Sequence, residues 1–363
     1  MSRIRPSHPY LETLEPYQPP DLEAAAERAG VEPDQLIRLV ANENPYGPSP
    51  RVAEALAAFD DYHVHPDYGP LREAVARYDG VSPDQVVLSN GADEMIDLLI
   101  RLFVEPGEAI VISPPTFSMY RFSARVNRCR VLTVPRRDDL ALDPAAIERR
   151  VAASGGEAAR MLFVVSPGNP SGRAIPLEVT ERLLQLPLMV VVDEAYVAFG
   201  GESALALLPD HENLVILRTF SKWAGMAGLR LGYALLAPRL VGYLERVRPP
   251  YNVSAAAMVA ALATFDDLET VEANVVRLVE ERERLEEVLG AISWLDPLPS
   301  QANFILCRVI ERDTQRVVER LLDRGILVRD FSDPAMASYV RITVGRPEQN
   351  DALLEALRGM GAP

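Results

Sequence analysis

The sequence predicts an α/β protein: a large domain with a mostly parallel seven-stranded sheet between helices, and a smaller α+β domain. Three observations support this prediction. A length of 363 residues suits two domains. Between about residues 85 and 237, short runs rich in Val, Ile and Leu alternate with helical patterns, which is typical of parallel strands covered on both faces. After about residue 248, a longer helical stretch precedes three further apolar runs.

The elements of the large sheet follow from these runs and from the positions of proline. Pro144 and Pro176 lie where a first helical turn tolerates proline. The strands are predicted at 85–89, 109–113, 130–134, 161–166, 188–193, 213–218 and 230–236. The helices between them are predicted at 92–103, 116–126, 144–152 and 176–185.

The chain is expected to divide into three parts. Residues 1–34 form an arm that packs with the small domain and the functional site, residues 35–247 form the large domain, and residues 248–363 form the small domain. One helical stretch is expected at about 254–291, where charged residues indicate a solvated face. The small domain also contains predicted strands at 303–309, 326–330 and 339–344 and predicted helices at 314–324 and 347–360.

Composition and charge exclude several classes of protein. A formal net charge of −15 argues against nucleic-acid and anionic-membrane partners, since both require basic patches. We find neither a signal-peptide pattern nor an apolar run long enough to span a membrane. Cys129 and Cys307 form no metal-ligand spacing, and no zinc-protease, dinucleotide-loop or hydrolase-elbow motif occurs. We therefore expect a soluble protein of the cytoplasm.

Lysine is used only once in the chain. Of 37 basic residues, Lys222 is the single lysine and all the others are arginine. Nucleotide bias alone could leave one lysine. However, a lysine amine can lose its proton and attack a carbonyl to form a Schiff base, which the guanidinium group of arginine cannot do. Lys222 is therefore the first candidate for covalent chemistry.

Polar residues follow the predicted strands at one edge of the sheet, where open parallel sheets bind ligands. Taken alone, each group of polar residues after a strand is also common in turns or helix caps. Together they suit a cofactor with an aldehyde, a pyridine nitrogen and a phosphate. Lys222 offers the amine and Asp193 the carboxylate, a pairing used to bind pyridoxal phosphate. The helix start at Ala92 and Asp93, with Thr219, Ser221 and Arg230, could hold the phosphate.

Several segments then reveal a resemblance to a known family. The chain resembles the fold-type-I, pyridoxal-phosphate-dependent aminotransferases, and within them the histidinol-phosphate aminotransferase family. In the large domain the matching segments are 41–48 (ANENPYGP), 90–94 (NGADE), 115–120 (PTFSMY), 166–172 (SPGNPSG), 192–196 (VDEAY) and 219–230 (TFSKWAGMAGLR). In the small domain they are 300–304 (SQANF), 328–330 (VRD) and 340–345 (VRITVG).

The resemblance implies a role for each matching residue. Lys222 would bind the cofactor covalently and act as general base, while Asp193 would pair with the ring nitrogen. Asn169 and Tyr196 would bind the ring oxygen, and Phe117 would stack on the ring. The phosphate would be held by Ala92, Asp93, Thr219, Ser221 and Arg230. The substrate would be bound by Tyr17, Asn44, Arg329 and Arg341. No residue is implied as a metal ligand.

Three departures from the family pattern concern the site. Gly168 and Ser171 replace the asparagine and threonine that are usual around Asn169. Trp223 follows the lysine where a smaller residue is usual, and could narrow the pocket. His65 occupies the position of a tyrosine that reaches the cofactor phosphate of the neighbouring subunit in a homodimer. The cross-subunit contact is therefore in question.

The resemblance leaves the substrate open. The leading expectation is transfer of an amino group from L-histidinol phosphate to 2-oxoglutarate, in histidine biosynthesis. Because an arginine that binds a phosphate can also bind a carboxylate, an aromatic amino acid aminotransferase is a close alternative. A decarboxylase of an amino acid phosphate such as threonine phosphate is a third. The partners expected are these small molecules and a second copy of the chain.

Overall fold

The strands form one large sheet and two small ones in the computed structural model, which describes residues 12, 14, 16, 20–155 and 158–361. The described residues form the strands β1 Ile37–Leu39, β2 Val86–Ser89, β3 Ala109–Ile112, β4 Arg130–Thr133, β5 Ala159–Val165, β6 Met189–Asp193, β7 Leu214–Thr219, β8 Gly232–Leu236, β9 Leu295–Pro297, β10 Phe304–Val309, β11 Ile326–Val328 and β12 Tyr339–Thr343. The large sheet has the order β2-β8-β7-β6-β5-β3-β4. Only β8 runs antiparallel to its neighbours. The predicted seven-stranded, mostly parallel sheet is confirmed.

Helices cover both faces of the large sheet. All the helices of the described residues, including those that pack on the small sheets, are α1 Leu22–Ala29, α2 Pro50–Ala58, α3 Gly69–Asp79, α4 Gly91–Phe103, α5 Ser118–Val126, α6 Pro144–Ala152, α7 Leu177–Leu183, α8 Pro238–Val247, α9 Ala255–Phe265, α10 Leu268–Gly290, α11 Thr314–Leu322 and α12 Pro347–Arg358. Along β6, Val190 and Val192 join one core cluster while Val191 joins the other. Burial on both faces explains why this strand carries no polar alternation. Among the described residues, no helix is both long and apolar enough to span a membrane.

The small sheets contain the two arginines that are candidates for binding the substrate. Strand β1 pairs in parallel with β11, and the antiparallel sheet has the order β12-β10-β9. Directly after β11, Arg329 pairs with Arg341 of β12 through an isolated antiparallel bridge. This bridge links the two small sheets.

One predicted element is wrong. The single helical stretch expected at 254–291 is two helices, because α9 ends at Phe265 and α10 begins at Leu268. Between them, the Asp267 carboxylate accepts hydrogen bonds from the hydroxyl groups of Thr270 and Ser49. A short acidic side chain that binds nearby groups in this way favours a helix start over a helix interior. Helix α9 packs on α2 and α3.

Candidate active site

Three adjacent parallel strands bring the candidate residues to one edge of the large sheet. Strands β5, β6 and β7 are neighbours in register, so their carboxyl ends meet at the same edge. Asn169 follows β5, Asp193 ends β6, and Lys222 follows β7. This is the edge at which open α/β sheets bind ligands.

Lys222 lies in a partly buried position. Its ammonium group donates a hydrogen bond to the Ala41 carbonyl at 3.1 Å, and Nζ lies 5.9 Å from the centre of the Tyr196 ring. Burial, together with the nearby guanidinium groups of Arg341 and Arg230, lowers the pKa of Lys222 to about 8. A substantial fraction of the amine is therefore neutral near physiological pH, as a nucleophile or general base requires.

Asp193 is a buried carboxylate held by two donors. The Tyr120 hydroxyl donates to its Oδ2 at 2.6 Å, and the Ala195 amide donates to its Oδ1 at 3.0 Å. Burial raises the pKa of Asp193 to about 6 although both donors favour the charged form. Tyr120 was not among the predicted site residues, although it lies in the PTFSMY segment, three residues after Phe117.

A chain of hydrogen bonds connects the ring-oxygen candidates to the substrate candidate. The Tyr196 hydroxyl accepts hydrogen bonds from the side-chain amides of Asn42 at 3.0 Å and Asn169 at 3.5 Å. Arg341 donates to Asn169 Oδ1 at 2.7 Å and to the Val40 carbonyl at 2.8 Å. Asn42 is a further residue that the sequence analysis missed, although it lies in the ANENPYGP segment.

The phosphate candidates surround the start of α4. Arg230 donates to Asp93 Oδ2 at 3.2 Å and to Ser221 Oγ at 3.4 Å. Gly91, at φ +76°, permits this approach, because a Cβ there would lie 2.7 Å from the Arg230 guanidinium. The amides of Ala92 and its neighbours in the first turn lack intrahelical acceptors and so suit an anion.

Two small residues shape the surroundings of the phosphate candidates. A Cβ on Gly232 would lie 2.9 Å from the Ala92 nitrogen and would fill the space beside this amide. The Thr219 hydroxyl accepts from the Ser221 amide at 3.1 Å and donates to the Leu231 carbonyl at 3.3 Å. Thr219 therefore shapes the turn that presents Ser221.

Other predicted site residues lie in different surroundings. Asn44 donates to the Trp223 carbonyl at 3.1 Å and accepts from the Tyr46 amide, so both ends of its side chain bind backbone. The Trp223 indole stacks on Tyr78 at 5.4 Å between ring centres and belongs to the core.

The exposed His65 stacks on Tyr251 at 4.1 Å between ring centres. Tyr17 lies outside the described residues.

These residues fit pyridoxal phosphate. An amine with a lowered pKa, a buried carboxylate and a helix start beside an arginine match the aldehyde, ring nitrogen and phosphate of that cofactor. Phe117, which packs edge-on against Tyr120 at 5.6 Å, is a half-buried aromatic ring available for stacking. Side chains that are far apart in the sequence thus form one candidate site.

Comparison with known proteins gives the class of this chain and then a group of similar proteins. The aminotransferase class I and II family matches residues 34–357, and the chain belongs to this family. Over 361 residues it is 44% identical to the histidinol-phosphate aminotransferase of Roseiflexus castenholzii, covering 96% of each chain. It is 43% identical to the chloroplastic enzyme of that name from Nicotiana plumbaginifolia, covering 96% of this chain and 85% of the relative.

A solved structure gives the same grouping. The histidinol-phosphate aminotransferase of Sinorhizobium meliloti, crystallised in complex with pyridoxal-5'-phosphate, superimposes with a TM-score of 0.87. The two chains are 29% identical, and the alignment covers 99% of each. The aminotransferase resemblance predicted from the sequence is thereby confirmed.

Proposed function

We propose that this protein is a pyridoxal-phosphate-dependent aminotransferase that converts L-histidinol phosphate and 2-oxoglutarate to imidazole acetol phosphate and L-glutamate. Its curated relatives carry the name of this activity over nearly the whole chain. The observation that carries the choice of substrate is the pairing of Arg329 with Arg341.

Two guanidinium groups on one face suit a phosphate better than a monocarboxylate. The Arg329 amide donates to the Arg341 carbonyl at 3.0 Å, and the Arg341 amide donates to the Arg329 carbonyl at 2.8 Å. Residues paired in this way across an antiparallel bridge point their side chains to the same face. Phosphate carries nearly two charges and three acceptor oxygens, so it can use both arginines.

The roles of the chain's own residues follow from their surroundings. When bound, pyridoxal phosphate supplies an aldehyde that combines with amines and a ring that accepts electrons. Lys222 would hold the cofactor through its Nζ, and its amine would accept and return the proton of the substrate carbon that bears the amine. The Asp193 carboxylate would keep a proton on the ring nitrogen. Tyr196 and Asn169 would bind the ring oxygen, while Arg230, Ser221 and the start of α4 would hold the phosphate.

A half-reaction screen tests the substrate assignment. The holoenzyme is mixed separately with histidinol phosphate, phenylalanine, tyrosine and threonine phosphate, and loss of the cofactor's lysine-linked absorbance is followed. We expect the fastest loss with histidinol phosphate and recovery of the absorbance on adding 2-oxoglutarate. Faster reaction with phenylalanine or tyrosine would identify an aromatic aminotransferase. Release of carbon dioxide from threonine phosphate would identify a decarboxylase.

We further propose that the protein acts as a homodimer. Tyr62, Val64 and Tyr251 are large side chains that are 71%, 54% and 53% exposed. His65 and Tyr251 stack on each other, and the adjacent Asn252 donates to Glu94 at 2.5 Å, in the first turn of α4. Apolar side chains exposed beside the phosphate candidates suit an interface with a second copy. His65 is proposed to reach the partner's cofactor phosphate across it.

The cytoplasm is the proposed location. Cys129 and Cys307 are both free and buried. Free thiols persist in a reducing compartment, and the proposed substrates are small biosynthetic metabolites. Fractionation of the native cells with an antibody against this chain tests the location.

A further inference from the structure

Tyr120 connects two groups of the site through one buried side chain. The residue lies on α5 and is fully buried. Its hydroxyl donates to Asp193 Oδ2 at 2.6 Å. Its ring stacks on Phe163, with 4.5 Å between ring centres and 12° between planes, and meets the edge of Phe117 at 5.6 Å. The phenol is therefore fixed on two sides by aromatic rings while its hydroxyl meets the carboxylate.

We propose that Tyr120 is a positioning residue that keeps the Asp193 carboxylate ionised and aimed, and that the same ring fixes Phe117. The inference deepens the proposed function and rests on it, since it concerns the carboxylate and aromatic ring proposed to hold the cofactor. Tyr120 acts through Asp193 and Phe117.

The charges around Asp193 oppose its ionisation. Burial disfavours the carboxylate, and the negative side chains of Asp93, on α4, and Glu194, directly after β6, add to this effect. The Tyr120 hydroxyl and the Ala195 amide are the two donors that favour the charged form. Of these donors only Tyr120 comes from another element, so α5 sets the ionisation of a residue on β6.

The hydroxyl of Tyr120 stays a donor across the working pH range. Burial and the adjacent Asp193 carboxylate raise the pKa of Tyr120 well above its ordinary value of 10. Tyr196 and Asp93 act on it in the same direction. The phenol therefore does not compete for the negative charge, and removing its hydroxyl leaves a buried carboxylate with one donor fewer. The pKa of Asp193 must then rise further.

The first test uses the cofactor-free protein and the variant Tyr120→Phe, which keeps the ring. Unfolding equilibria of the native protein, Tyr120→Phe, Asp193→Asn and the double variant are measured from pH 5 to pH 8. A lost hydrogen bond to a charged group moves a pKa by about one unit or more. The factor by which Tyr120→Phe raises the unfolding equilibrium constant should therefore be about tenfold larger at pH 8 than at pH 5. In the Asp193→Asn background this pH dependence should disappear.

The same comparison remains decisive if the variant Tyr120→Phe does not fold. If Tyr120→Phe is unfolded at pH 8, the double variant should fold, because its buried partner is a neutral amide. A double variant no more stable than Tyr120→Phe overturns the inference. So does a destabilisation that is equal at pH 5 and pH 8.

A matched control separates this role from the loss of any buried hydroxyl. Tyr233 is also fully buried and lies beside a carboxylate, that of Asp79, outside the site. In the holoenzyme, Tyr120→Phe should move the acid limb of kcat/KM upward by about one pH unit, whereas Tyr233→Phe should leave that limb in place. An unmoved limb in Tyr120→Phe contradicts the inference. A native holoenzyme inactive with every amino donor would overturn the proposed function instead, because the cofactor-free measurement does not depend on activity.

Discussion

At the scale of single residues, burial moves two ionisable groups toward neutral pH from opposite directions. It lowers the pKa of Lys222 to about 8 and raises the pKa of Asp193 to about 6. Both shifts arise because a low-dielectric environment disfavours a charge of either sign. Proton transfer near neutral pH benefits from such values, while the folded protein loses stability by keeping the charged forms buried.

The first prediction concerns the lysine. Lys222→Arg keeps the positive charge but removes the amine that can lose its proton, so transamination should fall by at least roughly 10²–10⁴-fold. Borohydride reduction of the native holoenzyme, followed by peptide mapping, should place the pyridoxyl group on Lys222. Because the pKa of Lys222 is lowered, cofactor attachment should become faster as pH rises toward about 8. Label on any other residue would falsify the covalent role.

The second prediction concerns the stability of the cofactor-free protein. Since burial raises the pKa of Asp193 from 3.8 to about 6, the folded state binds the proton more tightly than the unfolded chain does. The stability from this proton is complete below pH 3.8 and is lost as pH rises through about 6. Asp193→Asn, which stays neutral, should therefore gain about 1–3 kcal/mol over the native protein at pH 8.

The measurement for Asp193→Asn is the unfolding free energy at pH 4 and pH 8. The variant should gain little at pH 4, where the native side chain is itself neutral. In the holoenzyme the same substitution should retain the cofactor and abolish transamination. Equal gains at both pH values would show that burial does not perturb this carboxyl group.

At the scale of elements, the segment that follows β1 is central to the site. The Val40 carbonyl accepts from Arg341 and the Ala41 carbonyl accepts from Lys222. Asn42, at φ +54°, binds Tyr196 through its side-chain amide and Thr343 through its backbone amide. Asparagine tolerates this left-handed conformation better than most residues. Pairing of β1 with β11 fixes this segment between the large sheet and β12.

The third prediction tests the paired arginines of β11 and β12. Because hydrogen bonds to charged groups contribute roughly 1.5–3 kcal/mol, Arg329→Ala should lower kcat/KM for histidinol phosphate by about one to two decades. The loss for phenylalanine should be smaller, since phenylalanine carries no phosphate. Arg308→Ala is a suitable control, because Arg308 is an exposed arginine of the neighbouring strand β10. Equal losses for both substrates would favour the aromatic aminotransferase.

At the scale of the whole molecule, the candidate site combines parts that are far apart in the chain. The large sheet carries the candidates Asn169, Asp193 and Lys222, and the small sheets carry the candidate arginine pair. Near the start of α4, the stacked rings of His65 and Tyr251 lie at the exposed surface. The proposed dimer would bring this surface against a second site.

The fourth prediction tests that arrangement with His65→Ala. The substitution removes the side chain proposed to reach the partner's cofactor phosphate, and a hydrogen bond to a charged group contributes roughly 1.5–3 kcal/mol, so cofactor affinity should fall by about one to two decades. The exposed His63 provides the control variant His63→Ala, which should leave cofactor affinity unchanged. Equal affinities for His65→Ala and the native protein, or a monomer by sedimentation, would contradict the cross-subunit contact.

Local patterns in the sequence predict the strands of the large sheet and indicate the chemistry of the candidate site. Apolar runs are local signals, and a strand buried on both faces shows them regardless of its partners. Lys222 and Asp193 can also be identified as candidates from the sequence, because a single lysine and a carboxylate at a strand end are recognised without knowledge of any tertiary contact.

Which distant side chains contact one another is known only from the folded chain. Tyr120 binds Asp193 across 73 positions, and Asn42 binds Tyr196 across 154. The break between α9 and α10 also depends on a distant contact, that of Asp267 with Ser49. Such pairs leave no periodic pattern in the sequence, since they arise from how sheets and helices pack. The shifted pKa values follow for the same reason, because burial is a property of the folded chain.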